Sequence, residues 1–238
     1  MAVRTTQSRV SSRTRRTLVE GEIKDAAAHA FLSKGVANTS LGDIASALGT
    51  ARTAIYHYYK SKDELLVALI RECAAESRRI ISQRGRADGH DDESPAERLR
   101  DVLQRLTMFT LERPERVRLL DAVAELPPEA ERVARKLNRL FFNELGALIQ
   151  EGVDTGAFHE VDAGVAAHAI VGSTRSVVWW FNPTGPRSAD DVARQIADSA
   201  VRGLLVQSWG EPPAPVLAAV TQVRDGLEAL ARALQAAG

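Results

Sequence analysis

Hydrophobic residues recur every three to four positions along most of this chain, which is the period of one face of an α-helix. The stretch around Ile23, Ala27 and Phe31 shows the pattern clearly, and similar stretches follow toward the end of the sequence. No segment alternates hydrophobic and polar residues between turn signals, as a half-exposed strand would. The pattern therefore predicts an all-α protein of about ten helices, without an internal repeat.

Glycines, prolines and capping residues set the bounds of these helices. Gly35, Gly49 and Gly156 mark helix ends or turns, and the pair Pro127 and Pro128 marks a break between two helices. The predicted helices cover residues 15–34, 41–48, 51–58, 62–84, 95–112, 114–126, 129–152, 162–181, 189–208 and 216–235.

A serine followed by an acid three residues later is typical of a helix start, because the two side chains can satisfy free backbone amides there. We place such pairs at Ser40 and Asp43, Ser61 and Glu64, Ser94 and Glu97, and Ser188 and Asp191. A proline after Ser94 strengthens that start, since proline favours the first turn of a helix. Thr50 is predicted to cap the third helix with its hydroxyl group.

Three regions of the chain differ in length and pattern. Residues 1–14 are rich in serine, threonine and arginine without any period, which predicts a disordered basic arm. Residues 15–62 hold the first three helices and residues 63–238 the others, which predicts a small helix-turn-helix unit followed by a larger helical bundle. The last predicted helix, 216–235, has an apolar stripe that suits either an added interface or packing against the bundle.

Charge is distributed unevenly between these regions. The whole chain carries 31 basic and 31 acidic residues, and its formal net charge is zero. Residues 1–62, however, hold ten lysines and arginines against four acids, so this end carries +6 and the remainder −6. A basic end on an acidic body indicates a polyanionic partner at that end only.

Composition narrows the class of protein further. Hydrophobic residues make up 45% and charged residues 26% of the 238 residues, which is typical of a globular protein that can bury a core. No apolar run is long enough to span a membrane, and no apolar signal segment follows the basic N-terminus. The single cysteine, Cys73, excludes an internal disulfide and suits a reducing compartment. We therefore expect a cytoplasmic protein without a membrane partner.

Two short helices joined by a glycine turn are what a helix-turn-helix requires. Ile44 and Leu48 share a face of the second helix, and Ile55 and Tyr59 share a face of the third, so both helices can pack on a common core. The opposite face of the third helix presents four side chains with hydrogen-bonding groups, Arg52, Thr53, Tyr56 and His57. This pattern predicts that the third helix enters the major groove of double-stranded DNA.

The segments 39–45, 48–49 and 54–66, which read TSLGDIA, LG and AIYHYYKSKDELL, together resemble the DNA-binding unit of TetR-family regulators. The resemblance covers about residues 17–70. It implies a ligand-responsive transcriptional repressor with no enzymatic activity and no cofactor. It also implies contacts with DNA from eight side chains, Ser40, Thr50, Arg52, Thr53, Tyr56, His57, Tyr58 and Lys62.

Side-chain chemistry assigns different roles within this set. An arginine in the position of Arg52 can read a guanine edge with two hydrogen bonds. Lys62 lies in the first turn of the fourth helix, where free amides already favour an anion, so we expect it to contact a phosphate. One unit reads too few bases to select a single genomic site. We therefore expect a homodimer on an inverted-repeat operator, with an affinity that falls steeply as salt rises.

In similar regulators the last two family helices form a four-helix bundle between two subunits, which here implicates residues 162–181 and 188–208. A pocket for a small-molecule effector is expected between the helices of residues 95–181. Candidate lining residues are Met108, Phe109, Phe141, Leu145, Arg175 and Trp179. Arg175 stands in an otherwise apolar helix, where it can bind an anionic ligand group or pair across the dimer.

The stretch 178–193, which reads VWWFNPTGPRSADDVA, resembles the corresponding part of TetR-family regulators of fatty-acid and steroid breakdown. Those regulators respond to acyl-CoA thioesters, which favours a lipophilic, acyl-CoA-like effector. Two other classes stay open, a helical enzyme and a helical ligand-binding protein that does not touch DNA. Against an enzyme, the chain has no glycine-rich phosphate loop, no metal-ligand spacing of cysteine and histidine, and no nucleophile elbow.

Overall fold

The computed structural model describes the backbone of residues 3–83, 93–121 and 126–206, and the side chains of these residues from Arg16 onward. The chain divides into two compact units, Met1–Leu204 and Leu205–Gly238, and the fold described below is that of the first unit. Within the described residues the structure contains nine α-helices and no strand, which confirms the all-α prediction. The predicted helix 216–235 lies outside the described residues.

The nine helices correspond to the first nine that the sequence pattern predicts. They are α1 (Val3–Lys34), α2 (Leu41–Ala47), α3 (Arg52–Tyr56), α4 (Lys62–Ser82), α5 (Pro95–Glu112), α6 (Pro114–Asp121), α7 (Pro128–Asp154), α8 (Ala163–Trp180) and α9 (Ala189–Leu204). Most bounds agree with the predicted ones to within two residues, but α1 begins twelve residues earlier and α9 ends four residues earlier. The predicted end of the sixth helix, at residue 126, follows residues 122–125, which lie outside the described residues.

The first helix begins earlier than its apolar pattern indicates. α1 starts at Val3, twelve residues before the predicted start, and the assignment of residues 1–14 as a separate basic arm stays a prediction. Residues 3–20 contain neither glycine nor proline, and their arginines have a high helix propensity. A polar segment without a period can therefore continue a helix that packing anchors farther along, at Ile23 and Ala27.

Serine caps hold the starts of four helices. In each predicted pair the serine hydroxyl accepts a hydrogen bond from the amide of the acid, at Ser40–Asp43, Ser61–Glu64, Ser94–Glu97 and Ser188–Asp191. The reciprocal bond from the serine amide is present in two of them, Ser40–Asp43 and Ser94–Glu97. The Glu64 carboxylate instead accepts from the amide of Lys60, at 2.8 Å. The predicted helix starts are thus confirmed, with one of the acids bound one residue upstream of its serine.

The body is a helical bundle in which α5 packs against α8 and α9, and α4 packs against α7. Its core is made of fully buried aliphatic side chains, among them Leu69, Leu99, Leu103, Leu145 and Leu148. The three N-terminal helices add a smaller buried cluster, which includes Ile23, Ala27, Ile44 and Ile55. α1 also packs against α4 and α6, so the small unit and the bundle share buried surface. No described helix is both long enough and apolar enough to traverse a lipid bilayer.

Near the end of α7 the backbone approaches an aromatic ring very closely. The buried ring of Phe158 lies against Gly152 in α7. The Phe158 amide donates to the Gly152 carbonyl at 2.9 Å, which holds the segment after α7 against the helix. A Cβ atom on residue 152 would lie only 2.1 Å from a ring carbon of Phe158. Space, and not backbone conformation, therefore requires a glycine at this position.

Candidate functional site

A glycine turn sets the angle between α2 and α3. Gly49 follows Leu48, the C-cap residue of α2, and its φ of 62° lies in the left-handed region that favours glycine. Its amide donates to the carbonyl of Ser46 at 3.1 Å, and the amide of Thr50 donates to that of Ala45 at 2.9 Å. These two bonds form a Schellman motif, which ends α2 and fixes the direction of the chain into α3.

Thr50 does not cap α3, contrary to the prediction. The capping position is held by Ala51, and no side chain caps the first turn of the helix. The backbone amide of Thr50 is used to close the turn after α2, so α3 begins two residues later, at Arg52. The side chain of Thr50 is exposed beside this turn, and its contact with DNA stays a prediction.

The outward face of α3 carries the polar side chains that the sequence places there. Ile55 and the nearby Tyr59 are buried and fasten the segment to the core. The exposed positions on and beside α3 are Arg52, Thr53, Tyr56 and His57, whereas Tyr58 is half-buried. Four hydrogen-bonding side chains thus stand together on one accessible surface at the basic end of the protein.

Arg52 is oriented by the residue one turn farther along α3. Its Nη2 atom donates to the hydroxyl of Tyr56 at 2.8 Å, and its guanidinium carbon lies 5.4 Å from the centroid of the Tyr56 ring. A guanidinium group has five N–H donors, so this bond leaves most of the planar fork available. Bidentate recognition of a base edge by Arg52 stays a prediction.

A second aromatic side chain of this surface lies close to a cation from α1. The guanidinium of Arg16 lies 5.8 Å from the centroid of the Tyr58 ring, and its Nε donates to Glu20 at 2.9 Å. The sequence pattern places Arg16 near the start of the first predicted helix and indicates no contact between Arg16 and Tyr58. Because the tertiary contact joins residues 42 positions apart, no local pattern indicates it.

Lys62, which was expected to contact a phosphate, already has partners within the protein. Its ammonium group donates to the carbonyls of Val36 and Ala37 at 2.8 and 2.9 Å. These contacts tie the turn between α1 and α2 to the start of α4. An ammonium group has three donors, so one remains for a phosphate and that contact stays a prediction.

The capping box of α2 contains a strongly perturbed carboxyl group. The hydroxyl of Ser40, the amide of Ser40 and the ammonium of Lys34 all donate to Asp43. These hydrogen bonds, with the Ser40 hydroxyl as the largest cause, lower the pKa of Asp43 to about 2.

We expect the Asp43 cap to persist well below the pH at which an ordinary aspartate is protonated. A carboxyl group with a lowered pKa stabilises the fold above its ordinary pKa, and that contribution is lost as pH falls through about 2. The measurement is an NMR titration of the Asp43 side-chain carbon, with Ser40→Ala as the variant in which the midpoint should rise. A midpoint near 4 in the wild-type protein would contradict the capping geometry.

A buried cluster of charges joins α1, α4 and α6. Arg116 in α6 is 5% exposed, and its guanidinium donates to Asp25 at 2.8 Å, to Glu72 at 2.9 Å and to the Gly21 carbonyl at 3.3 Å. Glu72 also accepts from Lys24 of α1. Burial alone would raise the pKa of Glu72, but the bonds from Lys24 and Arg116 outweigh it and the pKa is lowered. The N-terminal unit and the body are therefore tied by ion pairs.

The body encloses a small cavity between α4, α5, α6, α7 and α8. Its volume is about 20 Å³, and its lining consists of Ser77, Leu106, Phe109, Thr110, Val117, Leu120, Phe141, Val171, Thr174 and Arg175. Three of the six predicted ligand-binding residues are in this lining, namely Phe109, Phe141 and Arg175. The others are not: Leu145 is packed in the core, Met108 lies outside the lining, and Trp179 is 72% exposed.

Arg175 is held by a partner from its own chain. Its Nη1 atom lies 2.6 Å from Oδ1 of Asp121 at the end of α6, and its guanidinium carbon lies 5.8 Å from the centroid of the Phe141 ring. Of the two roles that the sequence left open, binding an anion and pairing across a dimer, the described chain shows neither directly. It shows an internal carboxylate, that of Asp121, paired with the Arg175 guanidinium.

The outer face of α8 and α9 is open and largely apolar. A groove of about 500 Å³ runs between the two helices, and its lining includes Ala166, Ala169, Ile170, Trp180, Val192, Ile196, Ala200 and Leu204. Val165, Trp179 and Trp180 are large hydrophobic side chains of α8 that stand half or more exposed. A contiguous apolar surface of this kind is typical of a protein interface.

Family comparisons match both parts of the molecule. Residues 23–69 match the family described as bacterial regulatory proteins, tetR family, and residues 92–204 match the tetracyclin repressor-like C-terminal domain. The first match contains the helix-turn-helix, and the second contains α5 to α9.

Individual relatives extend over most of the chain. The transcriptional repressor KstR2 of Rhodococcus jostii is 26% identical over 196 residues, which cover 77% of this chain and 89% of KstR2. A TetR/AcrR-family regulator of known structure from Thermobifida fusca is 32% identical, with a TM-score of 0.57, over 77% of this chain and 97% of its own. The structure of AibR in complex with isovaleryl coenzyme A and operator DNA matches with a TM-score of 0.61 and 23% identity, over 78% of this chain and 97% of AibR, which supports the fold alone.

Proposed function

Because this chain belongs to the TetR family of bacterial regulatory proteins, we propose that it is a repressor that binds an inverted-repeat operator as a homodimer and leaves it when a small lipophilic effector binds. The observation that carries the proposal is the exposed face of α3. There Arg52 is held by Tyr56 on a helix that Ile55 anchors to the core. The +6 charge of residues 1–62 supports a nucleic acid as the partner of this face.

We propose that Arg52, Thr53 and Tyr56 face the major groove and that Arg52 reads a base edge. The other predicted residues would position the unit on the DNA backbone, and they are Ser40, Thr50, His57, Tyr58 and Lys62. A good bidentate contact discriminates between bases by only about 1–3 kcal/mol, so one copy of α3 cannot select a genomic site. Two copies of α3 related by a two-fold axis double the number of base contacts, which is why the operator should be an inverted repeat.

The dimer is proposed to form through the groove between α8 and α9. Both helices present small or apolar side chains there, which allows two copies to approach closely. A second copy would cover Val165 and Trp180, which are otherwise costly to leave in water. Self-association through one patch of this kind gives the two-fold symmetry that the operator requires.

Ala169→Glu is expected to convert the dimer into a monomer, because it places two carboxylates in an apolar interface. Light scattering after size-exclusion chromatography should show the mass falling from that of two chains to that of one. Ala75→Glu is the matched control, since Ala75 is an exposed helical alanine on α4, outside the groove. A dimeric mass in both variants would show that the dimer does not form through the groove between α8 and α9.

The effector is proposed to be a lipophilic molecule of the acyl-CoA kind, bound in the body. Support comes from AibR, whose structure contains isovaleryl coenzyme A, and from KstR2 of Mycobacterium tuberculosis, whose structure is described as that of a ketosteroid transcriptional regulator. The cavity of about 20 Å³ holds roughly one water molecule, so the body must open to admit such a ligand. A ligand that prefers the open body shifts the population toward it, and only to the extent of that preference.

The same short helix faces both the cavity and the DNA-binding unit. Val117 and Leu120 of α6 line the cavity, whereas Arg116 of α6 binds Asp25 of α1. Opening the cavity displaces the wall that Val117 and Leu120 form. Arg116 would carry that displacement to α1 and change the distance between the two copies of α3.

The deciding experiment is selection of bound sequences from random duplex DNA, followed by release with a panel of acyl-CoA thioesters. We expect an inverted repeat with half-site centres about one helical turn, or a multiple of it, apart. We also expect at least one thioester to raise the melting temperature and to release the DNA. A purified protein with no salt-sensitive affinity for any duplex would overturn the proposal.

A further inference from the structure

We propose that Asp121 occupies the position of the effector's own anionic group on Arg175, so that the effector is a molecule with an apolar chain and an anionic oxygen group that displaces Asp121. This inference deepens the proposed function and rests on it for the identity of the site. It assigns the class of ligand from the residues of the cavity, and it gives the ion pair between Arg175 and Asp121 the role of an exchangeable contact.

The lining of the cavity offers one strong partner for a polar ligand group. Six of its side chains are hydrocarbon, and Arg175 is the only charged residue among those that line it. The three hydroxyl groups, of Ser77, Thr110 and Thr174, each donate to a carbonyl of their own helix. Their protons are therefore used, and among the described residues that line the cavity Arg175 is the one with side-chain donors beyond those bonds, since only its Nη1 is bound, to Asp121.

The position of the ion pair suits exchange. The side chain of Arg175 is 20% exposed and that of Asp121 is 35% exposed, so the pair reaches from the cavity wall to solvent. A displaced Asp121 would be hydrated and not stranded in the interior. A partly exposed ion pair contributes little net stability. Each methylene group of an incoming ligand, by contrast, adds favourable binding free energy when it is buried. A carboxylate or phosphate attached to an apolar chain can therefore replace Asp121, although a small free anion cannot do so efficiently.

Exchange at Arg175 also supplies the link to DNA binding. Asp121 is the last residue of α6, and through Arg175 it holds the end of α6 to α8. The middle of α6 is tied to α1 through Arg116 and Asp25. A ligand that takes Asp121 off Arg175 removes one of two contacts between the end of α6 and α8, and leaves the bond from Arg118 to the Val178 carbonyl as the other. It thereby acts on the helix that contacts α1. A ligand without an anionic group can fill the cavity but leaves the ion pair between Asp121 and Arg175 intact.

The test uses the full-length protein and four probes, octanoate, methyl octanoate, octanoyl-CoA and coenzyme A alone. Binding is measured by calorimetry on the wild type, Asp121→Asn, Arg175→Met and Arg175→Lys. In the wild type, octanoate or octanoyl-CoA should bind at least about tenfold more tightly than methyl octanoate. Asp121→Asn should tighten the anionic ligand about tenfold and leave the ester unchanged, because the internal competitor has lost its charge. Arg175→Met should abolish the preference, and Arg175→Lys should retain part of it.

Each outcome decides the proposal. Preference for octanoate identifies a carboxylate as the anion, and preference for octanoyl-CoA with no binding of coenzyme A identifies a phosphate joined to an acyl chain. Equal binding of acid and ester, or no binding of any probe to Asp121→Asn, overturns the exchange. The operator is titrated separately, so a protein that binds no duplex but still prefers the anion disproves the proposed function and not the ligand class. A melting curve of each variant shows that a lost preference does not come from an unfolded body.

Discussion

Arg52→Ala will weaken operator binding by roughly 100-fold or more if α3 reads DNA as proposed, because a dimer loses two contacts of about 1–3 kcal/mol each. The side chain of Arg52 is already oriented in the protein without DNA, since its Nη2 atom donates to the Tyr56 hydroxyl at 2.8 Å. The melting temperature should not change, because Arg52 is exposed and its removal opens no cavity. The measurement is fluorescence anisotropy with the operator found by selection, at two salt concentrations.

Arg79→Ala provides the matched control, since it removes the same charge from an exposed position of α4. Arg79 lies about 25 Å along the helix from Lys62, at 1.5 Å per residue, so salt screens it from the DNA-binding surface. We expect its affinity to stay within about twofold of the wild type. A similar loss in both variants would mean that Arg52 acts only through net charge. A loss that is the same for operator and random DNA would assign Arg52 to the phosphates instead of a base.

Gly152→Ala is expected to destabilise the protein by about 2–4 kcal/mol, although alanine is the better helix former. The added methyl group would overlap the ring of Phe158, whose nearest carbon lies 2.1 Å from the Cβ position. Moving a buried ring out of its place costs about 3–5 kcal/mol. Higher helix propensity returns only about 1 kcal/mol, so the clash dominates.

Gly146→Ala is the control for this substitution within the same helix. Its Cβ position is 3.7 Å from the nearest atom, the carbonyl oxygen of Ala163, which is an ordinary contact. It should therefore stabilise the protein by about 0.5–1 kcal/mol, because nothing opposes the gain in helix propensity. Urea unfolding followed by circular dichroism compares the two variants. A gain in stability for both would show that the Phe158 ring does not lie against α7.

The helix-turn-helix can be predicted from sequence because its signals are local. The capping box at Ser40, the glycine at 49 and the apolar spacing of Ile44 and Ile55 all act within one or two helical turns. Their agreement leaves one arrangement of α2 and α3. The exposed face of α3 follows from the same spacing, which is why Arg52 was found without any tertiary information.

The parts that sequence could not provide depend on residues far apart in the chain. A lysine in the first turn of a helix looks the same whether it binds a phosphate or two carbonyls, and the acceptors of Lys62 lie about 25 residues upstream. Arg116 has partners 44 and 91 residues away, on two other helices. No local pattern distinguishes such an arginine from a solvated one.

Three of the six residues predicted to line a ligand pocket do line the cavity, and the other three do not for a related reason. Periodicity identifies which side chains point inward, but an inward side chain can meet either a cavity or a packed neighbour. Leu145 and Phe141 lie one turn apart on α7, and both are buried, yet only Phe141 reaches the cavity. The prediction for Thr50 is wrong for a different reason: α3 starts one residue later than predicted, so the capping position falls on Ala51, whose side chain has no hydrogen-bond acceptor.

The cluster around Arg116 limits how far this protein can be treated as interchangeable modules. A chimaera joined at residue 62 would take Lys24 and Asp25 from one parent, and Glu72 and Arg116 from the other. An unmatched parent would leave the buried Arg116 without one of its counter-charges. A different N-terminal unit can therefore be joined to this body only if acids equivalent to Asp25 and Glu72 remain opposite Arg116, because the hybrid would otherwise contain an unpaired buried cation.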